Sequence, residues 1–469
     1  MAKDLKKFAS AEYLHYLPDY KKLRDCFKGE RAVKDATVAY LPQLKAQNQS
    51  DYDSYLYRAL FFPITGKTVT SMVGMATTKA PKVVAPKVME KYFVDSGFDY
   101  QFTESYVNIF TEVVLMGRYG VLIDAPIGEG DIIFSPYIAE NIVRWELSED
   151  SKLTSLLLRE YRTVTGKERF ETDQITQYRH CFIDGAGNYA VEVLDDNLDV
   201  SKVAINPTFS GSTIDYIPFT PFGASGVHFQ ADKPPMLDIS TINISHYLTS
   251  ADLEWGRHIV GLPTPVVSGV DSGTTLQIGG TKAWILPVPE AKAYYLEFQG
   301  QGLQSLEKAM TDKVGLMASI SARLVDSSSK GSEAAETVRL RYMSESASLI
   351  HIINAIEAGC MMMYNIGAKL MKADPVSIKF SREILGVGIT FKDLKVIFEA
   401  YLNGEISKES LLYNLRRLDA LDPNRTDEEE LAAIKTPPPL PDPNKQTAAP
   451  QPPGNQAPKA PTQSPPKGN

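Results

Sequence analysis

The chain has 469 residues and a formal net charge of −8, from 49 Lys and Arg against 57 Asp and Glu. Its length predicts about three domains, or one elongated body with appendages. The acidic balance argues against a protein that simply wraps nucleic acid by neutralising phosphates. The three cysteines are too few and too widely spaced for a disulfide framework or a zinc module, so a reducing compartment is favoured.

The first half of the chain is predicted to begin with about 90 mostly helical residues. A helix over Glu12–Lys28 is expected to be interrupted by Pro18 and ended by Gly29. Residues 153–222 alternate between apolar and polar positions around Gly and Asp turns, which predicts a β meander and an α+β fold class. Between these regions the pattern predicts helices over 51–60, 65–76 and 98–116, and strands over 119–124 and 132–134.

The second half is predicted to contain three long helices. Met236–Leu262 is stopped by Pro263, and a compact β insert then leads into a helix over 303–325. After a polar loop, a helix over 333–371 would span on the order of 55–60 Å. So long a helix is more than a typical single-domain core needs.

Residues 391–435 are predicted to form three short helices, with Ser407 capping the second and a Thr426–Glu429 capping box opening the third. The last 34 positions, 436–469, contain 12 prolines and no aromatic residue. Such a segment buries too little apolar surface to offset its ordering entropy, so a disordered tail is predicted.

One segment, Ala347–Ala368, is mostly uncharged and about as long as a membrane span. It carries His351, Asn354, Glu357 and Asn365, and a polar-faced helical pattern continues on both sides of it. The pattern therefore favours a buried helix, and no membrane partner is expected.

Catalytic and metal motifs are not evident in the sequence. Lys67 follows Gly66, but the first glycine of a phosphate loop would be at Phe61, so Lys67 is interpreted as an ordinary helix residue. The six histidines form no HxxxH or HExxH pair, so no metal site is predicted. Asp124 ends a predicted strand, where a catalytic carboxylate can lie, although a structural role is favoured.

The order of elements is itself informative. Two helices of about 25 residues flank the β insert, and the second leads through a polar loop into the very long helix. This arrangement predicts a protruding two-helix stalk with a β tip. A lone stalk would expose its apolar sides, so copies are expected to cover one another by closing head-to-tail into a ring.

In this order of elements, residues 40–435 resemble the portal (head–tail connector) proteins of tailed bacteriophages, in particular a podovirus-type subfamily. Three local runs are similar to that family. They are Tyr57–Phe62 leading into Thr68–Gly74, Leu115–Asp124 preceding Pro136–Ile142, and Gly404–Ser410.

The resemblance implies a portal anatomy, a ring of twelve subunits and a place at one capsid vertex of the virion after assembly in the host cytoplasm. No enzyme activity or cofactor is implied. The implied regions are a wing over 1–235, stem helices over 236–262 and 303–325 around a clip over 263–302, a tunnel loop over 326–332, a long wing helix and wing return over 333–389, a crown over 390–435 and the tail over 436–469.

The resemblance also implies partners and site residues. Double-stranded DNA would pass the tunnel loop without sequence readout, and the clip would dock first the terminase large subunit and then the head–tail adaptor. The wing would face major capsid and scaffolding proteins. The tunnel-loop candidates are Asp326, Ser327, Ser328, Ser329 and Lys330, and the clip candidates are Trp284, Tyr294 and Tyr295, which are equally open to a role between subunits.

Two alternatives stay open at the level of sequence. The first alternative is another phage minor head or structural protein. The number of subunits in the ring would distinguish it from a portal protein. A hydrolase that uses Asp124 with a β-rich substrate domain is the other alternative, and hydrolytic activity of a protein near 50 kDa would favour it.

Overall fold

The computed structural model describes residues 7–94, 102–124, 131–165, 170–262, 264–269, 289–296, 300–325, 335–382 and 391–417, together with Leu421 and Glu429. The chain divides into two compact units, residues 1–384 and 385–469. Each unit is described by itself below.

The helices follow the predicted order closely. They are α1 Ala11–Lys28, α2 Glu30–Asp35, α3 Gln49–Arg58, α4 Ile64–Ala76, α5 Phe102–Met116, α6 Leu237–Gly261, α7 Gln301–Val325, α8 Ala335–Leu370, α9 Phe391–Leu402 and α10 Lys408–Arg417.

Within the described residues, the strands form four antiparallel sheets, in the orders β1-β12, β10-β11, β3-β2-β9 and β4-β5-β6-β7-β8. Their bounds are β1 Lys82–Val84, β2 Arg118–Asp124, β3 Ile133–Ile138, β4 Ile142–Leu147, β5 Leu153–Thr165, β6 Thr172–Ile183, β7 Tyr189–Leu194, β8 Val200–Ile205, β9 Phe219–Gly223, β10 Thr264–Ser268, β11 Lys292–Leu296 and β12 Ser377–Lys379.

Helix α1 runs through Pro18 without a break, so the interruption predicted there is wrong. Proline removes one backbone hydrogen bond from a helix interior, which is a real cost. Tyr13 and Tyr20 are buried on either side of it, and Tyr13 Oη donates to the carbonyl of Glu140 at 2.9 Å. Tertiary packing therefore keeps the helix intact, and it ends as predicted at Gly29, whose φ is +94°.

A charged cluster that the sequence did not indicate ties α1 to α5. The Arg24 guanidinium donates to Glu112 at 2.6 and 2.7 Å and to Glu140 at 2.8 and 2.9 Å. Burial alone would lower the pKa of Arg24, but these bonds outweigh it and raise the pKa above its ordinary value. The paired, bidentate geometry fixes the angle between α1 and the core helix α5.

The core of the first unit surrounds β2 and two helices, α5 and α8. Gly117 ends α5 at φ +68°, as predicted, and β2 is buried along its length up to Ile123. Gly120 lies against the ring of the buried Phe219, because an added Cβ would be 2.1 Å from a ring carbon. The central strand therefore depends on the absence of a side chain at this point.

The predicted meander is confirmed as the five-stranded sheet from β4 to β8. Its two middle strands extend beyond their neighbours, because β4 pairs with β5 only up to Leu158 and β7 pairs with β6 only from Tyr178. The β5–β6 register continues as far as Thr165 opposite Thr172. Residues 159–165 and 172–177 thus form a two-stranded ribbon, named here the β arm.

Helix α8 crosses the core. Its segment Ala347–Leu370 is long and apolar enough to cross a membrane by length and composition, and half of it is buried within the protein. Leu349, Ile353, Ile356 and Cys360 lie along one buried stripe, as the sequence predicted for a core helix. The short pairing of β1 with β12 was not predicted.

The second unit contains the helices α9 and α10. Ser407 Oγ accepts a hydrogen bond from the backbone N–H of Ser410 at 3.1 Å, which confirms the predicted helix cap. The third short helix predicted here lies outside the described residues apart from Glu429, and so does the whole tail over 436–469.

Candidate functional site

The helices predicted as a stalk are present and run antiparallel. The residue numbers of the contacting partners increase along α6 while they decrease along α7, which is the pattern of an antiparallel pair. Lys313 Nζ donates to the carbonyl of Ser245 at 2.9 Å. Nearer the hairpin, Arg257, which comes later on α6, donates to Glu307, which comes earlier on α7, at 2.8 Å. The two helices therefore pack as a pair whose connecting segment contains β10 and β11.

Close packing of α6 against α7, near the end that leads to β10 and β11, depends on Gly256. A Cβ on this residue would be 2.6 Å from a methyl carbon of Leu303 on α7. The methyl is the end of a flexible side chain, so a substitution would push the helices apart by a small amount rather than clash with backbone.

A cation and an imidazole lie between the helices. Burial lowers the pKa of His246, and the charge of Lys313 lowers it further. Burial also lowers the pKa of Lys313, although the charge of Asp252 opposes this shift. Lys313 Nζ is held by Ser245 and by Thr249 Oγ1, so the partly buried ammonium has hydrogen-bond acceptors from α6 on two successive turns.

The first half of α6 is anchored in the body of the unit by buried polar side chains. Asn243 Oδ1 accepts from the backbone N–H of Thr65 at 3.2 Å, while its amide donates to the carbonyl of Phe62 at 2.8 Å. Ser250 Oγ accepts from the N–H of Leu60 at 3.1 Å. These bonds satisfy the backbone of the extended segment between α3 and α4 and fix α6 against it.

An aromatic cluster marks the place where α6 leaves the body. Tyr55 Oη donates to Asp252 at 2.6 Å and its ring packs edge-on against Trp255. The guanidinium of Arg58 lies 5.9 Å from the Trp255 ring centroid and 3.3 Å from His258 Nε2. This packing holds the base of the pair in one orientation.

Beyond that cluster the pair is poorly covered. Ile259 and Leu262 at the end of α6 are 42% and 63% exposed. On the other helix, Leu316 is 52% exposed, although it lies on the body side of Lys313, which contacts Ser245. Among residues 302–320 of α7, only Met317 is buried. Apolar side chains thus remain in solvent on both helices of the pair.

The β hairpin between the helices exposes aromatic side chains on both faces. Tyr294 is opposite Val266 and Tyr295 is opposite Pro265 in the β10–β11 register. Consecutive strand residues point to opposite faces, and the two tyrosines are 54% and 55% exposed. Among the described residues no other strand pairs with β10 or β11, and a two-stranded hairpin by itself is marginal in water.

Some of the remaining candidates from the sequence lie within the described residues and others lie outside them. Tyr294 and Tyr295 are the clip candidates that the structure describes. Leu316 was missed because the sequence pattern does not distinguish an outward-facing leucine from a core one. Trp284 and the tunnel-loop residues Asp326, Ser327, Ser328, Ser329 and Lys330 lie outside the described residues.

The positions weighed as chemical sites have structural partners instead. Asp124 pairs with Arg179, which also donates to Glu160 at 2.7 Å. Lys67 lies on helix α4 with its ammonium 5.3 Å from the Phe62 ring centroid, as expected for an ordinary helix residue. Among the described residues, no group of three or more His, Cys, Asp or Glu side chains could hold a metal ion.

Comparison with known proteins identifies one family match. Residues 235–371, which contain α6, β10, β11, α7 and α8, match a family described as a domain of unknown function (DUF4055). No curated protein matches the chain.

Among solved structures, the chain is similar to three chains of gene transfer agent (GTA) particles, each at 11% identity. One belongs to the virion of the native particle, with a TM-score of 0.39 over 84% of this chain and 100% of that chain. Another belongs to the neck of the empty particle computed with C6 symmetry, with a TM-score of 0.41 over 82% and 99%. The third belongs to the neck of the native particle computed with C12 symmetry, with a TM-score of 0.39 over 83% and 99%.

Proposed function

We propose that this chain is a portal protein of a tailed bacteriophage, which closes into a ring at one capsid vertex. The observation that carries the proposal is the antiparallel α6–α7 pair with its exposed apolar sides and its tyrosine-bearing hairpin, followed by the long helix α8. These elements follow the order of stem, clip, stem and wing helix that the resemblance to portal proteins implies.

A closed ring accounts for the exposed surfaces. Head-to-tail contacts between copies bury different faces of the same subunit and close when the rotation permits. The exposed Leu316 and Ile259 lie on different helices of one pair, so contacts on both sides of each subunit would cover both.

The ring encloses a channel for double-stranded DNA during packaging and ejection. Twelve copies of a chain with net charge −8 carry about −96, which repels phosphates and lets DNA slide. Lys330 in the tunnel loop would add a ring of cations for transient contact with the DNA backbone, without sequence readout.

The hairpin serves as the docking surface for the terminase large subunit and later for the head–tail adaptor. Tyr294 and Tyr295 supply large, rigid aromatic area, which is typical of residues that dominate interface energy. The alternative role for the same side chains is a contact between neighbouring subunits of the ring, which would bury them equally well.

The proposal is tested by the assembly state of the purified chain. Mass photometry and negative-stain imaging should show hollow rings of roughly 620 kDa for twelve copies of 51.8 kDa. A chain that remains monomeric at all concentrations would contradict the proposal. A compact dimer or tetramer without a central hole would also contradict it.

A further inference from the structure

The two-stranded β1–β12 sheet carries two lysines directly opposite each other on its outer face. Lys82 pairs with Lys379, and Val84 pairs with Ser377 two positions further along. All four side chains are exposed, whereas Ile378, between Ser377 and Lys379, is buried. Because successive strand residues point to opposite faces, the four exposed residues share the outer face. This face is named here the basic ribbon.

The opposed lysines repel each other in the isolated subunit. Cβ atoms of directly opposite residues in an antiparallel pair lie about 4.5–5.5 Å apart, and like charges at such positions are destabilising. Neither Lys82 nor Lys379 forms an ion pair with a carboxylate in the part of the chain that the structure describes. An anionic group bound on the ribbon would offset this repulsion, because both ammoniums would then face a negative charge.

The surroundings of the ribbon are also basic, although the whole chain is acidic. Residues 79–91 and 369–382, which contain β1 and β12, hold eight Lys and Arg against two Asp and Glu. These two stretches are therefore locally positive on a chain whose net charge is −8. The eight cationic residues are Lys79, Lys82, Lys87, Lys91, Lys369, Lys372, Lys379 and Arg382.

Acidic side chains neutralise part of this charge. Lys91 pairs with Asp131, and Arg382 donates to Glu357 at 2.7 Å. The other acids of the region, which form no ion pair among the described residues, are Glu90, Asp374 and, next to the Tyr216 ring that Lys369 covers, Asp215. Five carboxylates therefore stand against eight cations, and the region keeps a positive balance.

The remaining cations fall into two groups. Lys369 and Lys372 lie at the C-terminal end of α8, where positive charge stabilises the helix dipole. Lys87 is exposed and, like Lys82 and Lys379, has no carboxylate partner within the described ranges. These three lysines are therefore the cations that remain available to a ligand at the ribbon.

Exposed valines lie among the unpaired lysines. Val84 on the ribbon is 72% exposed, and Val88, which follows Lys87, is 51% exposed. A phosphate backbone would satisfy the lysines but leave these aliphatic side chains in water, and aliphatic side chains offer no platform on which bases stack. A protein segment with both carboxylates and apolar side chains would cover the lysines and the valines together. The ribbon therefore fits an acidic protein segment better than a nucleic acid.

From this surface we infer that the basic ribbon binds an acidic segment of another protein, in which Asp or Glu residues are interspersed with apolar ones. Its carboxylates bind Lys82, Lys379 and Lys87, and an apolar side chain packs against Val84. Such binding requires neither a ring nor DNA, so it goes beyond the proposed function, and each can fail without the other.

Peptide binding to the full-length chain tests this assignment. A fluorescein-labelled peptide in which Glu and Leu alternate serves as the probe, and its anisotropy is measured at low and at physiological salt. The double variant Lys82→Glu with Lys379→Glu should weaken binding by roughly tenfold or more, because each reversal replaces an attraction with a repulsion. The matched control, Lys45→Glu with Lys202→Glu, reverses two exposed lysines elsewhere and should leave the affinity unchanged.

A single reversal guards against loss of the fold. Lys82→Glu alone puts opposite charges across the ribbon, so the thermal midpoint should be equal to or above that of the wild type. The same variant should still weaken peptide binding by about threefold or more. Affinity that falls only in variants with a lowered thermal midpoint would overturn the inference.

The exposed valine separates a protein partner from a nucleic acid. Val84→Ser should weaken binding of the Glu–Leu peptide by about threefold and leave binding of a short DNA duplex unchanged. Val203→Ser, at an 80% exposed position on β8, is the control. A duplex bound more tightly than the peptide through the same lysines would make the ribbon a phosphate site and overturn the inference. Absence of peptide binding by the wild type, or equal weakening in the two lysine double variants, would also overturn it.

Discussion

At the scale of single residues, Gly120 is the position where the fold is least tolerant. A methyl group there would be 2.1 Å from the ring of Phe219, which is itself 2% exposed and has no room to withdraw. We expect Gly120→Ala to lower the free energy of unfolding by about 2–3 kcal/mol through overpacking. The urea midpoint of the chain, followed by far-ultraviolet circular dichroism, measures this loss.

Gly74 provides the matched control for this prediction. It lies within α4 with no heavy atom within 4 Å of an added Cβ, so Gly74→Ala should stabilise the chain by about 0.5–1 kcal/mol through helix propensity. Equal effects of the two substitutions would show that Gly120 is not in contact with Phe219.

The same residue scale shows where sequence patterns give incomplete information. Asp124 ends a strand, which sequence alone left open to catalysis, and only the fold shows that Arg179 from β6 pairs with it. The partners are 55 positions apart in sequence, and no local pattern indicates such a pairing. Arg24 with Glu112 and Glu140 was missed for the same reason, since long-range ion clusters leave no periodicity.

At the scale of elements, most helices and strands could be predicted because their hydrophobic periods and terminal glycines are local signals. The ends of α1 at Gly29 and of α5 at Gly117 follow from the left-handed backbone that glycine adopts readily. The continuation of α1 through Pro18 could not be predicted, because packing of Tyr13 and Tyr20 decides it. The overhang of the β arm was also missed, since strand length does not reveal where neighbouring strands end.

The α6–α7 pair yields a prediction at this scale. Leu316→Asp should leave the fold intact, because the side chain is 52% exposed, but should lower the ring fraction by roughly tenfold or more, since it places a charge where an apolar contact is proposed. Thr311→Asp is the control, as an exposed polar position on another side of the same helix. Ring fractions come from mass photometry at a series of concentrations.

A loss of thermal stability in Leu316→Asp equal to the loss of assembly would contradict the proposed role, because it would show that Leu316 supports the fold of the subunit. Unchanged assembly would show that this side of α7 stays in solvent in the ring.

At the scale of the whole molecule, the excess of acidic residues predicts how the proposed ring interacts with DNA. Phosphate contacts dominate the affinity of proteins for duplex DNA, and a channel that must release DNA should avoid accumulating them. Each chain has eight more acidic than basic residues, so assembled rings should repel duplex DNA at a distance and contact it only where cations line the passage. Under the proposed function, Lys330 supplies those cations.

We therefore expect assembled wild-type rings to bind a short labelled duplex no more tightly than about 10⁻⁴–10⁻⁶ M, the range of non-specific binding. Lys330→Glu should assemble equally well, because position 330 follows α7 in the sequence and is not part of the α6–α7 pair, and should weaken this binding and flatten its salt dependence. Fluorescence anisotropy at two salt concentrations measures both quantities, with Lys202→Glu as an exposed control on the meander. Nanomolar binding by the wild type would contradict a sliding channel, and an unchanged salt dependence in Lys330→Glu would remove that lysine from the passage.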